Sequence, residues 1–406
     1  MTGALVSVVI PAYNAGAFIE EALQSVLGQT YSNLEVIVVD DESTDDTRAR
    51  VAAFGARVTL IPQANAGAAV ARNTGIRHSH GTYLAFLDAD DIWLPNKVAR
   101  LVDALERHPG AGAAYHGYVA MDEDGAVVGQ PVLPAHDGDV LEPLLLGCFF
   151  GPPMVMIPRA CLDRVGGFDP ELRLGEDWDL FLRIALAGLP VRCVPEILVR
   201  CRAHRTNTTR DLVRAAAFGR VILDRAFADP RLPARLRTRR FRTAAYKTHA
   251  VFQAGRCLRA GLWADGVALF LEAARLDPRM LSRPSSYLDL ALRTLPLADQ
   301  TWPGLARHAD QAAALLTNVL EGLFQSSGLP TELARQRRPA WSALWITISV
   351  VQALAHRYAV AAATLGRAFV TDPLTVTAAL ARAGTGRWMS IPSSWRPVRL
   401  WTTERC

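Results

Sequence analysis

The sequence predicts an α/β domain over residues 1–210, with a mostly parallel sheet and helices on both faces, followed by an α-helical domain over residues 211–406. One observation behind this prediction is the regular alternation of strand and helix signals between residues 5 and 205. Another is the change, after residue 205, to Ala, Leu and Arg at helical spacing. Charge changes at the same place, because residues 1–205 carry a net charge of −10 and residues 206–406 carry +15. Such an asymmetry indicates two domains with different partners.

Four apolar segments in the first half have the composition of buried strands, and three amphipathic segments separate them. The strand candidates, rich in β-branched residues, are "LVSVVIPAYN", "LEVIVVD", "VTLIPQ" and "YLAFLDAD". The helix candidates are "AGAFIEEALQSVLGQ", "STDDTRARVAAFG" and "AAVARNTGIRHS". The second of these helices has Ser43 or Thr44 as its cap and acids in its first turn. This alternation predicts a parallel sheet whose ligands lie at the carboxyl ends of the strands.

Two segments of the second half resemble each other. They are "CLRAGLWADGVALFLEAARLDP" and "HRYAVAAATLGRAFVTDP", and both end in Asp-Pro. Their small and aromatic residues resemble those of tetratricopeptide units, which we predict near residues 245–280 and 341–373. A plain α-helical bundle explains the same pattern equally well.

Cysteine usage and apolar segments indicate a cytoplasmic protein. The six cysteines are scattered without a CxxC pair, which argues against a zinc site or a disulfide framework and fits a reducing cytosol. The N-terminal "MTGALVSVVIPAYN" lacks the basic segment and long apolar core of a signal peptide. The best membrane candidate, Trp341 to Ala355, has 15 residues and four polar side chains, whereas a span needs about 20 mostly apolar residues. We predict a buried helix there, with a membrane helix as the alternative.

Polar side chains end three of the four predicted strands: Asn14 after the first, Asp40 and Asp41 after the second, and Asp88, Asp90 and Asp91 after the fourth. Turn chemistry explains one or two such residues, because Asp and Asn favour turns. It does not explain five carboxylates at one edge. If the fourth strand continues to its end, Asp88 and Asp90 point the same way and need a positive partner. Mn²⁺ or Mg²⁺ fits, because these ions prefer oxygen ligands and share them with substrate phosphates.

Five motifs occur in order over roughly residues 5–205: "SVVIPAYNAG", "VIVVDDESTDDT", "NAGAAVARNTGI", "YLAFLDADDIW" and "GGFDPELRLGEDWDLFLRIALAG". Each motif alone is weakly specific. Together they strongly resemble the family 2 glycosyltransferases. The resemblance implies a GT-A fold and an enzyme that transfers a sugar from a nucleoside diphosphate donor, in most members with inversion.

The resemblance assigns donor-side roles residue by residue. It maps the family's Asp-x-Asp motif onto Asp88 and Asp90, so that Asp88 approaches the ribose or the metal and Asp90 binds the metal that joins the diphosphate. It places Pro11, Ala12 and Tyr13 in the nucleoside pocket and Arg72 near the nucleotide. It also implies that Asp40 and Asp41 bind the nucleoside, with Asp40 accepting a hydrogen bond from the nucleobase. A surface or structural role is the alternative for Arg72.

One position departs from the family pattern. Glu42 stands in "DDES" where the family usually has Gly in "DDGS". If the turn requires a positive φ, the glutamate is strained there.

Acids at the start of a predicted helix supply the candidate general base. Inversion needs one carboxylate to take the proton of the acceptor hydroxyl. The resemblance maps this base onto Asp177 and gives Glu176 the role of orienting the acceptor or the base. Stabilisation of the helix dipole alone is the alternative explanation of these acids. His204 lies where related enzymes often place a histidine, and it is a candidate third metal ligand; a structural histidine is the more common case.

The resemblance therefore implies a metal-dependent hexosyltransferase that moves a sugar from a nucleoside diphosphate, with UDP as the expected nucleotide, to a hydroxyl of a glycan or lipid-linked glycan, as in cell-surface polysaccharide synthesis. The alternatives are a nucleotide-sugar-binding scaffold without turnover and a sugar nucleotidyltransferase. The segment "RLPARLRTRRFR" has six arginines in twelve residues and predicts peripheral contact with an anionic surface at the inner face of the cell membrane. A solvated arginine face is the alternative there, and no nucleic-acid recognition module is evident.

Overall fold

The structure, a computed structural model, describes residues 3–203, 211–296 and 299–384. The chain forms two compact units. One comprises Met1–Arg210 and Phe218–Arg237, and the other comprises Asp211–Ala217 and Thr238–Cys406. The domain limits that the sequence predicts, 1–210 and 211–406, stay a proposal.

Within the described residues, nine strands of the first unit form one sheet in the order β3-β2-β1-β4-β8-β6-β9-β5, with β7 paired to β6. The strands are β1 (Val6–Ala12), β2 (Leu34–Asp41), β3 (Thr59–Gln63), β4 (Tyr83–Phe86), β5 (Ile92–Trp93), β6 (Ala113–Met121), β7 (Val127–Val132), β8 (Val155–Pro158) and β9 (Val191–Arg202). The long pairings β1–β2, β2–β3, β1–β4 and β6–β9 are parallel, whereas the pairings of β8, β7 and β5 are antiparallel.

Helices cover both faces of this sheet. Those of the first half are α1 (Ile19–Leu27), α2 (Thr47–Ala52), α3 (Ala68–His78), α4 (Lys97–Glu106), α5 (Leu141–Leu146), α6 (Arg159–Val165) and α7 (Glu176–Leu186). Alternate residues of β1, such as Val8 and Ile10, share a core with the apolar sides of α1 and α4. Ile37 and Val39 of β2 pack instead against Ala71 of α3. The predicted α/β class, with helices on both faces and a helical part after the sheet, is confirmed.

The fourth strand is shorter than predicted. It ends at Phe86, and residues 88–91 form a turn closed by a 3.0 Å hydrogen bond from the amide of Asp91 to the carbonyl of Asp88. The strand geometry that we invoked to make Asp88 and Asp90 converge is therefore absent. The reason is local, because Asp side chains favour turns. Beside the end of this strand, α3 packs closely on β1 at Gly75, where a Cβ would collide with Val9, the partner of Phe86 in the sheet.

The second unit is helical. After α8 (Leu212–Ala228), the helices are α9 (Arg239–Arg259), α10 (Trp263–Leu276), α11 (Pro284–Thr294), α12 (Trp302–Arg307), α13 (Ala309–Gln325), α14 (Thr331–Arg335), α15 (Arg337–Leu354), α16 (Tyr358–Thr371) and α17 (Pro373–Gly384). α9 packs on α10, and α15 packs on α16. The tetratricopeptide assignment of these helix pairs stays a prediction. The predicted buried helix is found, because α15 buries Leu344, Ile348 and Val351, and none of the helices in the described part of the chain is long and apolar enough to cross a bilayer.

Candidate active site

The carboxyl ends of β1, β2 and β4 and the first turn of α7 bring the predicted site residues to one region of the sheet. β1 lies between β2 and β4 in parallel register, so the segments that follow these three strands leave the sheet at the same edge. α7 joins them through Arg72, whose side chain reaches Glu176 at the start of this helix. The structure thus brings Asp88 and Glu176, which are 88 positions apart in the sequence, to the same arginine.

Arg72 of α3 bridges two of the predicted site acids. Its Nη2 donates to Asp88 Oδ1 at 2.7 Å, and its Nη1 donates to Glu176 Oε1 at 2.6 Å. The guanidinium is buried, with its carbon 5.2 Å from the centre of the Phe168 ring. Burial opposes the charge of Arg72, but the two carboxylates raise its pKa above the ordinary value. The side chain therefore ties the turn after β4 to the helix that carries the candidate base.

Three carboxylates crowd the turn after β4. Asp91 is buried and accepts a hydrogen bond from the amide of Arg202 at 2.7 Å. Burial, and then the carboxylates of Asp90 and Asp88, raise the pKa of Asp91 well above its ordinary value. Arg202 fixes the turn from the other side, because its Nε donates to the carbonyl of Asp90 at 2.9 Å. A single arginine at the end of β9 gives no sequence signal, and our sequence reasoning missed it.

The acids of this turn have the donor chemistry for a hard cation. Asp88 and Asp90 are half-buried, and the raised pKa of Asp91 indicates that negative charge is unfavourable at this turn, which a cation would offset. Among the residues that the structure describes, no group of three or more His, Cys, Asp or Glu side chains is arranged as a complete metal site. Two carboxylates suit Mg²⁺ or Mn²⁺ when substrate phosphates supply further ligands. His204 lies outside the described residues, so its predicted role as a ligand stays a prediction.

Asp40 and Asp41 differ in what their carboxylates contact. Asp40 is fully buried; its Oδ2 accepts from Arg48 Nε at 2.5 Å, while its Oδ1 has no hydrogen-bond partner. A buried acceptor without a partner is costly, and an N–H group of a bound base would satisfy it. Asp41 is engaged by the following loop, because it accepts from the side chain of Gln63 and from the amides of Ala66 and Gly67 at 2.7–2.9 Å. Its role in binding the nucleoside stays a prediction.

The predicted nucleoside pocket begins at the end of β1. Ala12 is buried, Pro11 is half-buried, and the ring of Tyr13 is 54% exposed. Asn14 follows in a left-handed conformation with φ of 49°, and its Oδ1 accepts from the amide of Thr44 at 2.8 Å. This contact joins the turns that follow β1 and β2, and it leaves the Tyr13 ring accessible to a ligand.

Glu42 occupies a strained position. Its φ is 68°, so the turn does require the left-handed conformation that glycine adopts easily. The Glu42 carboxylate accepts from the amide of Asn65 at 3.1 Å. The strain is therefore retained alongside a contact that glycine cannot make.

We expect Glu42→Gly to be more stable than Glu42→Ala by about 1 kcal/mol, because both lose the contact with Asn65 but only alanine keeps the strain. The free energies of unfolding in urea measure this difference. At the exposed Gln24, in the interior of α1, the order should reverse, with alanine more stable than glycine. Equal stability of the two variants at position 42 would contradict the strain.

The candidate base opens α7. Gly175 precedes the helix with φ of 79°, and Asp177 follows in its first turn. Asp177 Oδ1 accepts from the amide of Trp178 at 2.8 Å. Burial, and then the neighbouring Glu176 carboxylate, raise the pKa of Asp177 to about 7. A carboxylate with this pKa is suited to general base catalysis near neutral pH.

Other residues of the first turn of α7 have structural contacts. Glu176 is held by Arg72, which fits the predicted orienting role but leaves that role untested. Asp179 pairs with Arg183 one turn later, at 2.7 Å. Trp178 is buried, and its Nε1 donates to the carbonyl of Leu144 at 2.8 Å, so it belongs to the core.

Comparison with known proteins places these residues in a family. The model of glycosyl transferase family 2 matches residues 7–161. The chain is 36% identical over 182 residues to the UDP-Glc:alpha-D-GlcNAc-diphosphoundecaprenol beta-1,3-glucosyltransferase WfgD of Escherichia coli, and the match covers 44% of this chain and 69% of that protein. It is 32% identical over 221 residues to the putative teichuronic acid biosynthesis glycosyltransferase TuaG of Bacillus subtilis, which covers 52% of this chain and 84% of that protein.

A third relative is longer than the region it shares with this chain. The uncharacterized glycosyltransferase RC0461 of Rickettsia conorii is 35% identical over 216 residues, and the match covers 51% of this chain but only 35% of that protein. All three matches are about as long as the first unit, which contains the sheet. The family model and the relatives, of which the chain covers 69% and 84%, show that this chain belongs to glycosyl transferase family 2.

Proposed function

We propose that the protein is a metal-dependent, inverting hexosyltransferase that moves a sugar from a nucleoside diphosphate sugar, most simply a UDP-sugar, to a hydroxyl of a glycan or lipid-linked glycan. The observation that carries the proposal is the arrangement around Arg72. One half-buried carboxylate with a pKa of about 7, Asp177, follows Glu176, and Arg72 links Glu176 to the acidic turn that starts at Asp88. Inverting sugar transfer requires a general base next to a turn that binds the diphosphate.

The donor side of the proposal rests on Asp40, Tyr13 and the acidic turn. The unpartnered Oδ1 of Asp40 accepts a hydrogen bond from an N–H group of the nucleobase, and the exposed ring of Tyr13 stacks on the nucleobase. Asp88 and Asp90 would hold Mn²⁺ or Mg²⁺, which supplies charge neutralisation for the leaving diphosphate. The name of WfgD includes UDP-Glc as donor, which supports a UDP-sugar here.

On the acceptor side, Asp177 takes the proton of the attacking hydroxyl while the bond from the anomeric carbon to the diphosphate breaks on the opposite face. The proton ends on the carboxylate of Asp177, and the electron pair of the broken bond leaves with the diphosphate. Arg72 holds Glu176 in place through an ion pair, and the Glu176 carboxylate beside the general base raises the pKa of Asp177, which favours proton uptake by Asp177.

The relatives support the proposed acceptor class, and the charge of the arginine-rich segment supports the proposed cell location. WfgD and TuaG are named for an undecaprenol-linked acceptor and for teichuronic acid, which supports a role in cell-surface polysaccharide synthesis. Peripheral contact with the inner face of the cell membrane stays part of the proposal. Of the arginine-rich segment, Arg231 pairs with Asp229, and Arg235 pairs with Asp139 and Glu142, whereas Arg239 and Arg240 are exposed.

Asp90→Asn tests the donor side. We expect the affinity for UDP in the presence of Mn²⁺, measured by titration calorimetry, to fall about 10-fold to 100-fold, because one charged metal ligand is lost. The matched control is Asp163→Asn, which neutralises an exposed aspartate of α6 and should bind UDP as the wild type does. Equal, manganese-independent UDP affinity in Asp90→Asn and wild type would refute the metal site.

Product analysis separates the alternatives. A glycosyltransferase releases free nucleoside diphosphate when it is given nucleotide sugar and acceptor. A sugar nucleotidyltransferase instead exchanges pyrophosphate, and a scaffold protein binds the nucleotide sugar without releasing either product.

A further inference from the structure

A row of aromatic side chains runs from the helix that carries Asp177 toward the surface of the sheet unit. Phe150 packs on Phe181 of α7 with ring centres 4.3 Å apart, and Phe149 follows at 5.0 Å from Phe150. His136 lies 4.8 Å from Phe149. Phe181 and Phe150 are buried, whereas Phe149 and His136 are half-buried. The outer end of the row therefore offers ring surface to a ligand.

The row is held by a buried tyrosine. The hydroxyl of Tyr115 donates to the carbonyl of His136 at 2.7 Å and accepts from the amide of His136 at 3.1 Å. The Tyr115 ring stacks on Phe150 at 4.5 Å and lies 5.7 Å from Phe149. The backbone of residue 136 and the two phenylalanine rings are thus fixed by one side chain, which makes the half-buried rings a preformed surface.

The segment of residues 148–151 that carries these phenylalanines passes beside the candidate base. The thiol of Cys148 interacts electrostatically with Asp177, so the start of the segment is near the carboxylate. At its end, a Cβ added to Gly151 would lie 3.8 Å from Asp177 Oδ2. Gly151 has φ of −125° and ψ of 177°, which any residue adopts. The backbone therefore does not require glycine here, and what glycine provides is space beside an oxygen of Asp177.

We propose that Phe149 and His136 form the platform for the sugar ring of the acceptor and that Gly151 leaves the gap through which the acceptor hydroxyl reaches Asp177. The proposal rests on the proposed function, because it assumes that Asp177 is the base. An acceptor hydroxyl has to come within about 2.6–3.2 Å of that carboxylate, so its sugar ring lies over Gly151 and next to Phe149. Phe149 offers the negative face of an aromatic ring to the C–H groups of a sugar, and the His136 imidazole offers a hydrogen bond to a hydroxyl. The occupant is therefore a neutral sugar ring at the end of a glycan.

Phe149→Leu and Phe149→Trp test the platform, because leucine keeps an apolar side chain without a ring and tryptophan keeps a ring. The acceptor probe is the p-nitrophenyl hexoside that the wild-type chain glycosylates fastest in a panel of such hexosides. We expect the KM for this probe to rise about tenfold in Phe149→Leu and to stay within about threefold in Phe149→Trp. Affinity for UDP with Mn²⁺ should be unchanged in both. The matched control is Phe369→Ala, which removes a 40% exposed aromatic ring from the second unit and should leave the KM unchanged.

Gly151→Ala tests the gap. The nearest neighbours of the added methyl group are 3.8 Å away, so the thermal unfolding midpoint should match that of the wild type. Transfer to the hexoside probe should fall at least about tenfold, because the methyl group takes the space of the attacking hydroxyl.

The outcomes separate the two levels of the proposal. Wild-type KM in Phe149→Leu together with wild-type transfer in Gly151→Ala would overturn the acceptor platform while leaving the proposed function in place. A wild-type chain that binds no UDP and releases none from any nucleotide sugar would remove the proposed function, and the platform with it.

Discussion

Asp177→Asn should lower the rate of sugar transfer by a factor of about 10²–10⁴, the usual contribution of a positioned general base, while leaving UDP affinity within about twofold of wild type. Asparagine keeps the shape of the side chain and its Oδ1, which accepts from the amide of Trp178 at 2.8 Å, but it cannot take up a proton. Single-turnover transfer and calorimetric titration with UDP measure the two quantities.

The matched control is Asp179→Asn, which removes another carboxylate from the first turn of the same helix. Asp179 is already paired with Arg183 one turn later, so the control should retain most of the transfer rate. A comparable loss in both variants would indicate that the first turn of α7, rather than Asp177 itself, is what catalysis requires.

The raised pKa of Asp177 also predicts how activity and stability depend on pH. Since the general base works only when it is unprotonated, kcat/KM of the wild type should fall about tenfold per pH unit below the Asp177 pKa of about 7.

The same pKa shift affects stability. The folded chain holds a proton on Asp177 between pH 3.8, the ordinary pKa, and about pH 7, whereas the unfolded chain does not. The free energy of unfolding therefore decreases as pH rises through this interval. Above it, the folded chain bears the full free-energy cost of ionising the Asp177 carboxyl group. Asp177→Asn removes that cost, so at pH 8 it should be more stable than wild type by roughly 1–4 kcal/mol.

Replacement of Arg72 should affect both stability and catalysis. Arg72→Met removes the cation shared by Asp88 and Glu176 and leaves the 13%-exposed Glu176 side chain without its partner. We expect a loss of about 2–4 kcal/mol in the free energy of unfolding; this lies toward the low end for a buried pair, because the Asp88 side chain is 35% exposed and partly solvated. Transfer should fall by about 10²-fold or more, since the acidic turn and the start of α7 lose their link.

Arg72→Lys and the double variant Arg72→Met/Glu176→Gln separate charge from geometry. Lysine keeps the positive charge but cannot donate along two directions from a planar group, so it should recover stability better than activity. If the Glu176 pair carries the destabilisation, the double variant should unfold at a higher urea concentration than Arg72→Met alone. Additive losses in the double variant would show that the bridge contributes little.

The sequence was sufficient for the first four strands, for the helices between them and for the identity of the acids that follow the strands, but it did not predict β5 to β9. Runs such as "SVVI" and "VIVV" form the central parallel strands, and Trp341 to Leu354 lie in a buried helix, because burial and periodicity are local properties of the chain. The sequence left open whether the turn at Glu42 needs a positive φ, and the structure shows that it does, with φ of 68°. By contrast, the end of β4 at Phe86 was not predicted, because the alternation in "LDAD" fits a continued strand as well as the turn that Asp favours.

The amino-acid sequence by itself determined which acids stand at the strand ends and which family the chain resembles. Only the tertiary structure decided what each acid contacts: Asp41 holds a loop, Asp40 keeps an unpartnered oxygen, Arg72 joins Asp88 to Glu176, and Gly151 leaves space beside Asp177. The physical reason is that charge and burial act between groups close in space. Arg72 and Glu176 are 104 residues apart in the chain and 2.6 Å apart in the fold, and no local pattern encodes that distance.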